Sequence, residues 1–267
     1  MTLFDINTAP TVVGMVHLDP LPGAPDFDGD RDRIRERAVA DARALDAGGV
    51  DAVLVENFGD VPFYPDAVPK HVVASMTDAV GRVVDAVDRP VGVNVLRNDA
   101  EAALSVAAAT GASFVRVNVH AGARVTDQGV VEGRAHETLR LRSRLAADVD
   151  LLADVGVKHS APLGAERSLD ETVDDVVTRG LADAVVVSGR GTGYAVDEER
   201  LERAAAACSH HGAPLFVGSG VTAETVADCL AHADGVIVGT ALKAGGETTN
   251  PVDEARVRAL VDAAHSR

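Results

Sequence analysis

The chain contains no tryptophan, and aromatic residues make up only 3% of it. That scarcity argues against a base-stacking platform for single-stranded nucleic acid and against a sugar cleft walled by rings. Cysteine is nearly as rare. Cys208 and Cys229 both fall in stretches of helical periodicity and lack metal-ligand spacing, so they read as buried free thiols. Lysine is scarce too, with Lys70, Lys158 and Lys243 set against 22 arginines. Acidic residues number 41 and the formal charge is −16, a field that repels nucleic acid and anionic lipid. The acids are spread through the helix-like stretches, and few lysines with much alanine and valine suit a protein adapted to high salt. No apolar run reaches membrane-span length, and the opening MTLFDINTAP has neither the basic nor the apolar region of a secretory leader. The expectation is a cytoplasmic protein with no membrane insertion and no nucleic-acid partner.

What the chain does have is alternation. Eight β-branched runs read as strands: 11–16, 50–56, 91–96, 114–119, 149–155, 183–188, 214–219 and 234–239. Most are continuously apolar, as in parallel strands buried on both faces. Between them lie helix-period stretches at 29–48, 70–87, 99–110, 133–147, 168–179, 197–211, 222–232 and 252–265. Several begin with a capping residue: Asn98 or Asp99, Ser168, Thr222. Eight β/α units in 267 residues have the size of an α/β single (β/α)8 TIM barrel. A doubly wound sheet would instead carry a glycine-rich dinucleotide loop after its first strand, where this chain has HLDPLPGAP. No linker or composition break interrupts the pattern, so residues 1–267 read as one barrel domain with 1–10 as a lead-in.

In such a barrel the strand C-termini and the following loops form the site. The seventh and eighth strands run into VGSGV (217–221) and VGTAL (238–242), and the loops at these positions often hold phosphate. Glycine lets backbone N–H groups approach an anion, and a helix N-terminus adds a favourable dipole. Gly218, Ser219, Gly220, Gly239 and Thr240 are therefore the candidate phosphate-binding residues, with Lys243 either adding charge or standing in solvent. The bland alternative is that the glycines only make tight turns.

The other strands deliver polar groups to the same end. Candidates for the chemistry are His17, Asp19, Glu56, Asp154, Lys158 and His159; candidates for substrate contact are Asn57, Asn94, Asn118, His120, Ser188, Gly189, Gly191 and Gly193. Each has a structural reading: Asp19 as a turn cap, Asp154 as a counter-charge to Lys158, each asparagine as a satisfied buried amide. Their convergence carries the weight, since stability alone does not need so many costly polar groups at one end. Lys158 could form a Schiff base with a ketose, or stay charged and steady an enolate, a carboxylate or a phosphate. No cofactor motif is evident. A divalent metal is compatible with His17, Asp19, Glu56, His120 and His159, although none has the spacing of a local metal motif.

The phrases GMVHLDPLPGAP (14–25), DAVLVENFGDVPF (51–63), GVNVLRND (92–99), FVRVNVHAGA (114–123), ADVGVKHSAPL (153–163), VSGRGTG (187–193) and VGSGVT (217–222) together resemble the BtpA/SgcQ family. The resemblance implies a TIM-barrel fold. It also implies a link, through a cyanobacterial member, to photosystem I accumulation as a peripheral membrane-associated factor, and it assigns no reaction. The leading expectation is an enzyme, a lyase or isomerase of aldolase, isomerase or epimerase type, acting on a phosphorylated small molecule such as a sugar phosphate or a nucleoside-derived phosphate. The alternatives are a non-catalytic assembly or biogenesis factor for a membrane protein complex, and a metal-dependent hydrolase. A homo-oligomer is compatible with each.

Overall fold

A computed structural model of the chain describes residues 10–157, 159–165, 167–189 and 195–266. Eight parallel strands close into a barrel in sequence order: β1 (Thr11–His17), β2 (Ala52–Glu56), β3 (Val91–Asn94), β4 (Phe114–Val117), β7 (Asp150–Val155), β9 (Ala184–Val187), β10 (Leu215–Val217) and β11 (Gly235–Val238). Closure comes from β1 against β11, with Gly14 opposite Val238. All eight fall on the strand-like runs of the sequence; β1 extends one residue further, to His17, and the others are trimmed at their ends.

The period of 2 along a strand sorts side chains into two cores. One set points inward, where Val13, Met15, Leu54, Phe114, Leu152 and Phe216 are among the residues that plug the barrel. Gly92 stands against the ring of Phe114 and Gly235 against that of Phe216, so a Cβ at either position would collide with the plug. The alternate residues point outward and pack under the helices, as Val12, Val16, Val53, Val55, Val115 and Val117 do. Buried on both faces, the strands read as continuous apolar runs.

The helices between the barrel strands are α1 (Arg31–Gly48), α2 (Lys70–Val84), α3 (Ala100–Thr110), α4 (Ala135–Arg144), α5 (Leu169–Asp174), α6 (Glu198–His211), α7 (Val226–Leu230) and α8 (Glu254–His265). Asp99 caps α3 by accepting from the Ala102 N–H at 2.8 Å, and Ser168 with Glu171 forms a capping box on α5. The stretch after β10 departs from expectation. Thr222 does not open a helix; its N–H donates to Thr225 Oγ1, and the helix starts only at Val226 and has five residues. A helix that short adds little dipole to an anion site. Any anion there would be held by loop N–H groups.

Three further strands were not legible in the sequence. β5 (Ala123–Thr126), β6 (Gly129–Glu132) and β8 (Ser160–Pro162) form a small antiparallel sheet in the order β6-β5-β8, beside the barrel mouth. The free thiols are partly as expected: Cys208 is buried, and burial pushes its thiol up to about 12, while Cys229 is half-buried. Lys243 is neither a phosphate ligand nor solvated. It is fully buried and donates to Asp41 at 3.0 Å, in a pair between α1 and the chain leading into α8. No helix among the described residues is long and apolar enough to cross a membrane.

Candidate functional site

The inward-pointing positions turn polar at the C-terminal end of the barrel. Register places His17 beside Glu56 and Glu56 beside Asn94, one row across β1, β2 and β3. Asn94 Nδ2 donates to Glu56 Oε2 at 2.6 Å, and His17 Nε2 lies 3.9 Å from Glu56 Oε1. Both side chains of that pair are 9% exposed. The next strands contribute Arg116, Asn118 and Asp154. Arg116 grips Asp154 with two parallel bonds, Nε to Oδ1 at 2.8 Å and Nη2 to Oδ2 at 2.9 Å, and Asn118 Nδ2 adds a third at 3.1 Å. Burial alone would depress the Arg116 guanidinium. The charges of Asp154 and Glu56 and the Asp154 hydrogen bonds outweigh it and hold Arg116 above its ordinary value.

Sequence reasoning missed Arg116, although the signal was there: one charged residue inside the otherwise apolar strand β4, FVRV. Its presence changes the reading of Asp154. That carboxylate, a candidate for the chemistry or a counter-charge to Lys158, holds the buried guanidinium with two bonds.

A cavity of about 680 Å³ opens over this floor, with His17, Glu56, Arg116, Asn118 and Asp154 at its base. Gly218, Ser219, Gly220, Gly239 and Thr240 line one side of it, as the phosphate reading needs. Two of these glycines also have a packing role. A Cβ on Gly218 would stand 2.6 Å from Val186 Cγ1, 2.8 Å from Ser188 Oγ and 3.1 Å from Arg116 Nη2; one on Gly239 would stand 2.8 Å from His17 Cε1. Ser219 Oγ accepts from the Gly189 N–H at 3.0 Å, tying the turn after β10 to the end of β9. An apolar part of the lining comes from the loop after β2, through Phe58, Val61 and Phe63. The Phe58 ring sits 4.7 Å from that of His17.

A second cavity, about 1150 Å³, adjoins the first and shares Asn118, Asp154, Val157 and His159 with it. Ser188 and Gly189 line this side. Two deeply buried polar atoms, Asn118 Oδ1 and Ser188 Oγ, have no hydrogen-bond partner among the described residues. Native interiors rarely leave such groups unmet, and both residues face cavity space that a ligand can fill.

Several other candidates do not reach the mouth. Asn57 is a structural clamp: its side chain donates to Asp60 Oδ2 at 3.0 Å and accepts from the Leu96 N–H at 2.7 Å. His120 turns away to Gly180, with Nε2 2.8 Å from the Gly180 carbonyl oxygen. Burial lowers its pKa against the opposing effects of that bond and Asp183. Asp19 faces Arg33, 3.6 Å from Nε. His159, at φ 52°, lines both cavities. Lys158, Gly191 and Gly193 lie outside the described residues. The five residues considered as metal ligands are not gathered into one cluster: among the described residues, the grouping within ligand reach is Glu198, Glu202 and His232, on the outer surface.

The match to known sequences is nearly end to end. The BtpA family's sequence profile covers residues 8–266. The chain belongs to the BtpA family. The photosystem I biogenesis protein BtpA of Synechocystis sp. is 46% identical over 264 residues, 98% of this chain and 91% of that one. Among solved structures, thiamine phosphate pyrophosphorylase from Pyrococcus furiosus superposes with a TM-score of 0.61 at 13% identity, covering 98% of each chain. N-(5'-phosphoribosyl)anthranilate isomerase from Pyrococcus furiosus does so with a TM-score of 0.56 at 13% identity, covering 96% of this chain and 100% of that one. At these identities the likeness is one of fold.

Proposed function

We propose that this BtpA-family barrel is an enzyme that moves a proton next to a carbonyl group on a small phosphorylated metabolite, an isomerase or epimerase. The observation that carries the reading is the charged floor of the first cavity: a carboxylate, an imidazole and a guanidinium converge under two glycine-rich turns. The cavity has the volume of a small-metabolite site. Both structural neighbours are named for phosphate esters, which supports the same substrate class.

The roles follow from chemistry. Glu56, oriented by Asn94, accepts a proton from carbon beside the substrate carbonyl. The electron pair moves into a carbon–carbon double bond and the carbonyl oxygen becomes an enolate. Arg116 faces that oxygen with a fixed positive charge, preorganised by Asp154. In isomerisation His17 carries the hydroxyl proton to the former carbonyl oxygen while Glu56 gives its proton to the adjacent carbon; in epimerisation His17 protonates the carbon from the other face, and exchange with water resets both groups. The turns at Gly218–Gly220 and Gly239–Thr240 hold the phosphate through backbone N–H groups.

The experiment is a ligand panel followed by exchange. Phosphorylated sugars and nucleotides are screened by thermal shift on wild type and on Ser219→Asp, whose added carboxylate repels phosphate. Any ligand that stabilises wild type alone is then incubated with the enzyme in deuterium oxide. The expected result is deuterium incorporation at carbon, reduced about a hundredfold or more in Glu56→Gln. Binding without exchange overturns the proton-transfer chemistry, and no binding by any phosphate ester overturns the substrate class. The name of the Synechocystis relative favours a second reading, a non-catalytic assembly factor, and that reading expects neither binding nor exchange.

A further inference from the structure

The second cavity has chemistry of its own. It runs from the shared residues Asn118 and Asp154 toward the first turn of α6 and the start of α5. Arg200 is the side chain that stands out there. Its guanidinium packs over Gly156, a position at φ +71° where a Cβ would run into it. Its one described side-chain bond is weak, from Nη2 to the Val155 carbonyl oxygen at 3.4 Å, and its buried Nε has no partner among the described residues. Arg203, one turn further along α6, lines the same cavity from its solvent-exposed edge. The acids nearby are largely occupied. Asp175 pairs with Arg167, and Asp197 caps α6 by accepting from the Arg200 N–H at 3.2 Å; Glu199 is exposed.

In a chain with 41 acidic residues, a half-buried guanidinium such as that of Arg200, bordering a cavity without a described carboxylate partner, needs a physical reason. A guanidinium is matched to an oxyanion by its planar fork of donors. The unmet Asn118 Oδ1 and Ser188 Oγ lie on the path between this end and the first cavity, and they suit substrate hydroxyl or amide donors.

Building on the reading above, we infer that the substrate is doubly anionic: one phosphate on the turns after β10 and β11, and a second phosphate or carboxylate on Arg200. The polar body between them lies across Asn118 and Ser188. Arg200 is thus a specificity-determining residue, and the adjoining cavities are two halves of one site.

The test compares dissociation constants by calorimetry at fixed ionic strength for ribose 5-phosphate, ribulose 1,5-bisphosphate and 6-phosphogluconate. The first carries one anionic group, the second two phosphates, the third a phosphate and a carboxylate. Wild type is expected to prefer one of the two-anion probes over ribose 5-phosphate by tenfold or more, and which one it prefers names the second group. In Arg200→Gln that ratio falls to near one, and in Arg203→Gln it falls by about threefold. A wild-type ratio near one overturns the inference while leaving the phosphate reading standing, and so does a ratio unchanged in Arg200→Gln. No binding by any of the three overturns the inference, and the phosphate reading falls with it when the wider panel also binds nothing.

Discussion

The pair between Arg116 and Asp154 offers the sharpest test of the site's architecture. The two side chains are 4% and 2% exposed and share two bonds of 2.8 and 2.9 Å. Removing one member of such a pair leaves the other charge buried, which costs about 3–5 kcal/mol. Arg116→Met belongs at the lower end, about 3 kcal/mol, because Asp154 keeps its bond from Asn118. Asp154→Asn is milder, about 2 kcal/mol, since an amide oxygen still accepts one N–H and Glu56 still supplies negative charge. The double variant Arg116→Met, Asp154→Asn strands no charge of the pair and is expected to cost about 3 kcal/mol rather than the sum of the two single losses, a coupling of about 2 kcal/mol. In a chain of this size a 3 kcal/mol loss lowers Tm by about 6–10 °C. Urea unfolding followed by circular dichroism, at one salt concentration, gives all four corners of the cycle. Strictly additive losses would refute the reasoning, as would an Arg116→Met loss under about 1 kcal/mol.

Other predictions address the remaining buried groups. His120 has its pKa lowered by burial, so the unfolded chain binds its proton more readily than the folded one, and stability rises as pH climbs from the folded pKa toward the ordinary histidine value near 6.5. His120→Gln is therefore expected to flatten the loss of stability below that pH, by at most about 1.4 kcal/mol per pH unit, in a series of urea midpoints; an unchanged slope would count against it. Gly218→Ala pushes a methyl at Val186, Ser188 and Arg116 and is expected to cost about 1–3 kcal/mol and to weaken binding of any phosphate ester found in the panel. Lys243→Met leaves the buried Asp41 with only Arg37 at 3.4 Å and the Val252 N–H at 2.8 Å; the expectation is a loss of about 3 kcal/mol with ligand affinity unchanged, and a selective loss of affinity would return Lys243 to the phosphate site.

The barrel was legible because its determinants are local. Strand runs, helix periods and caps such as Asp99 and Ser168 each report on a few neighbouring residues, and eight repeats of one pattern leave few topologies. The polar ends of the strands were legible for the same reason: His17, Glu56, Asn94, Asn118 and Asp154 share the inward parity of the plug beneath them. The sheet β6-β5-β8 was not, because Ser160–Pro162 finds its partner strand more than thirty residues away and carries no periodic signal in three residues.

Roles, as distinct from positions, depended on the tertiary structure. By sequence Asp154 had a lysine four residues on as a candidate partner; that the β4–β7 register also delivers Arg116 to it is visible only in space. Lys243 followed a glycine turn and read as a surface cation until Asp41, 202 positions away, was seen to bury it. His120 and Asn57 had the right residue type at the right strand ends, but backbone direction past the last ladder bond sent both side chains away from the mouth. Sequence alone determined which residues face inward and at which end, since pleat and periodicity are properties of a short stretch of chain. Only the folded barrel decided which charges meet, because a charge pairs with what is near it in space, and closure brings together strands that are far apart in sequence.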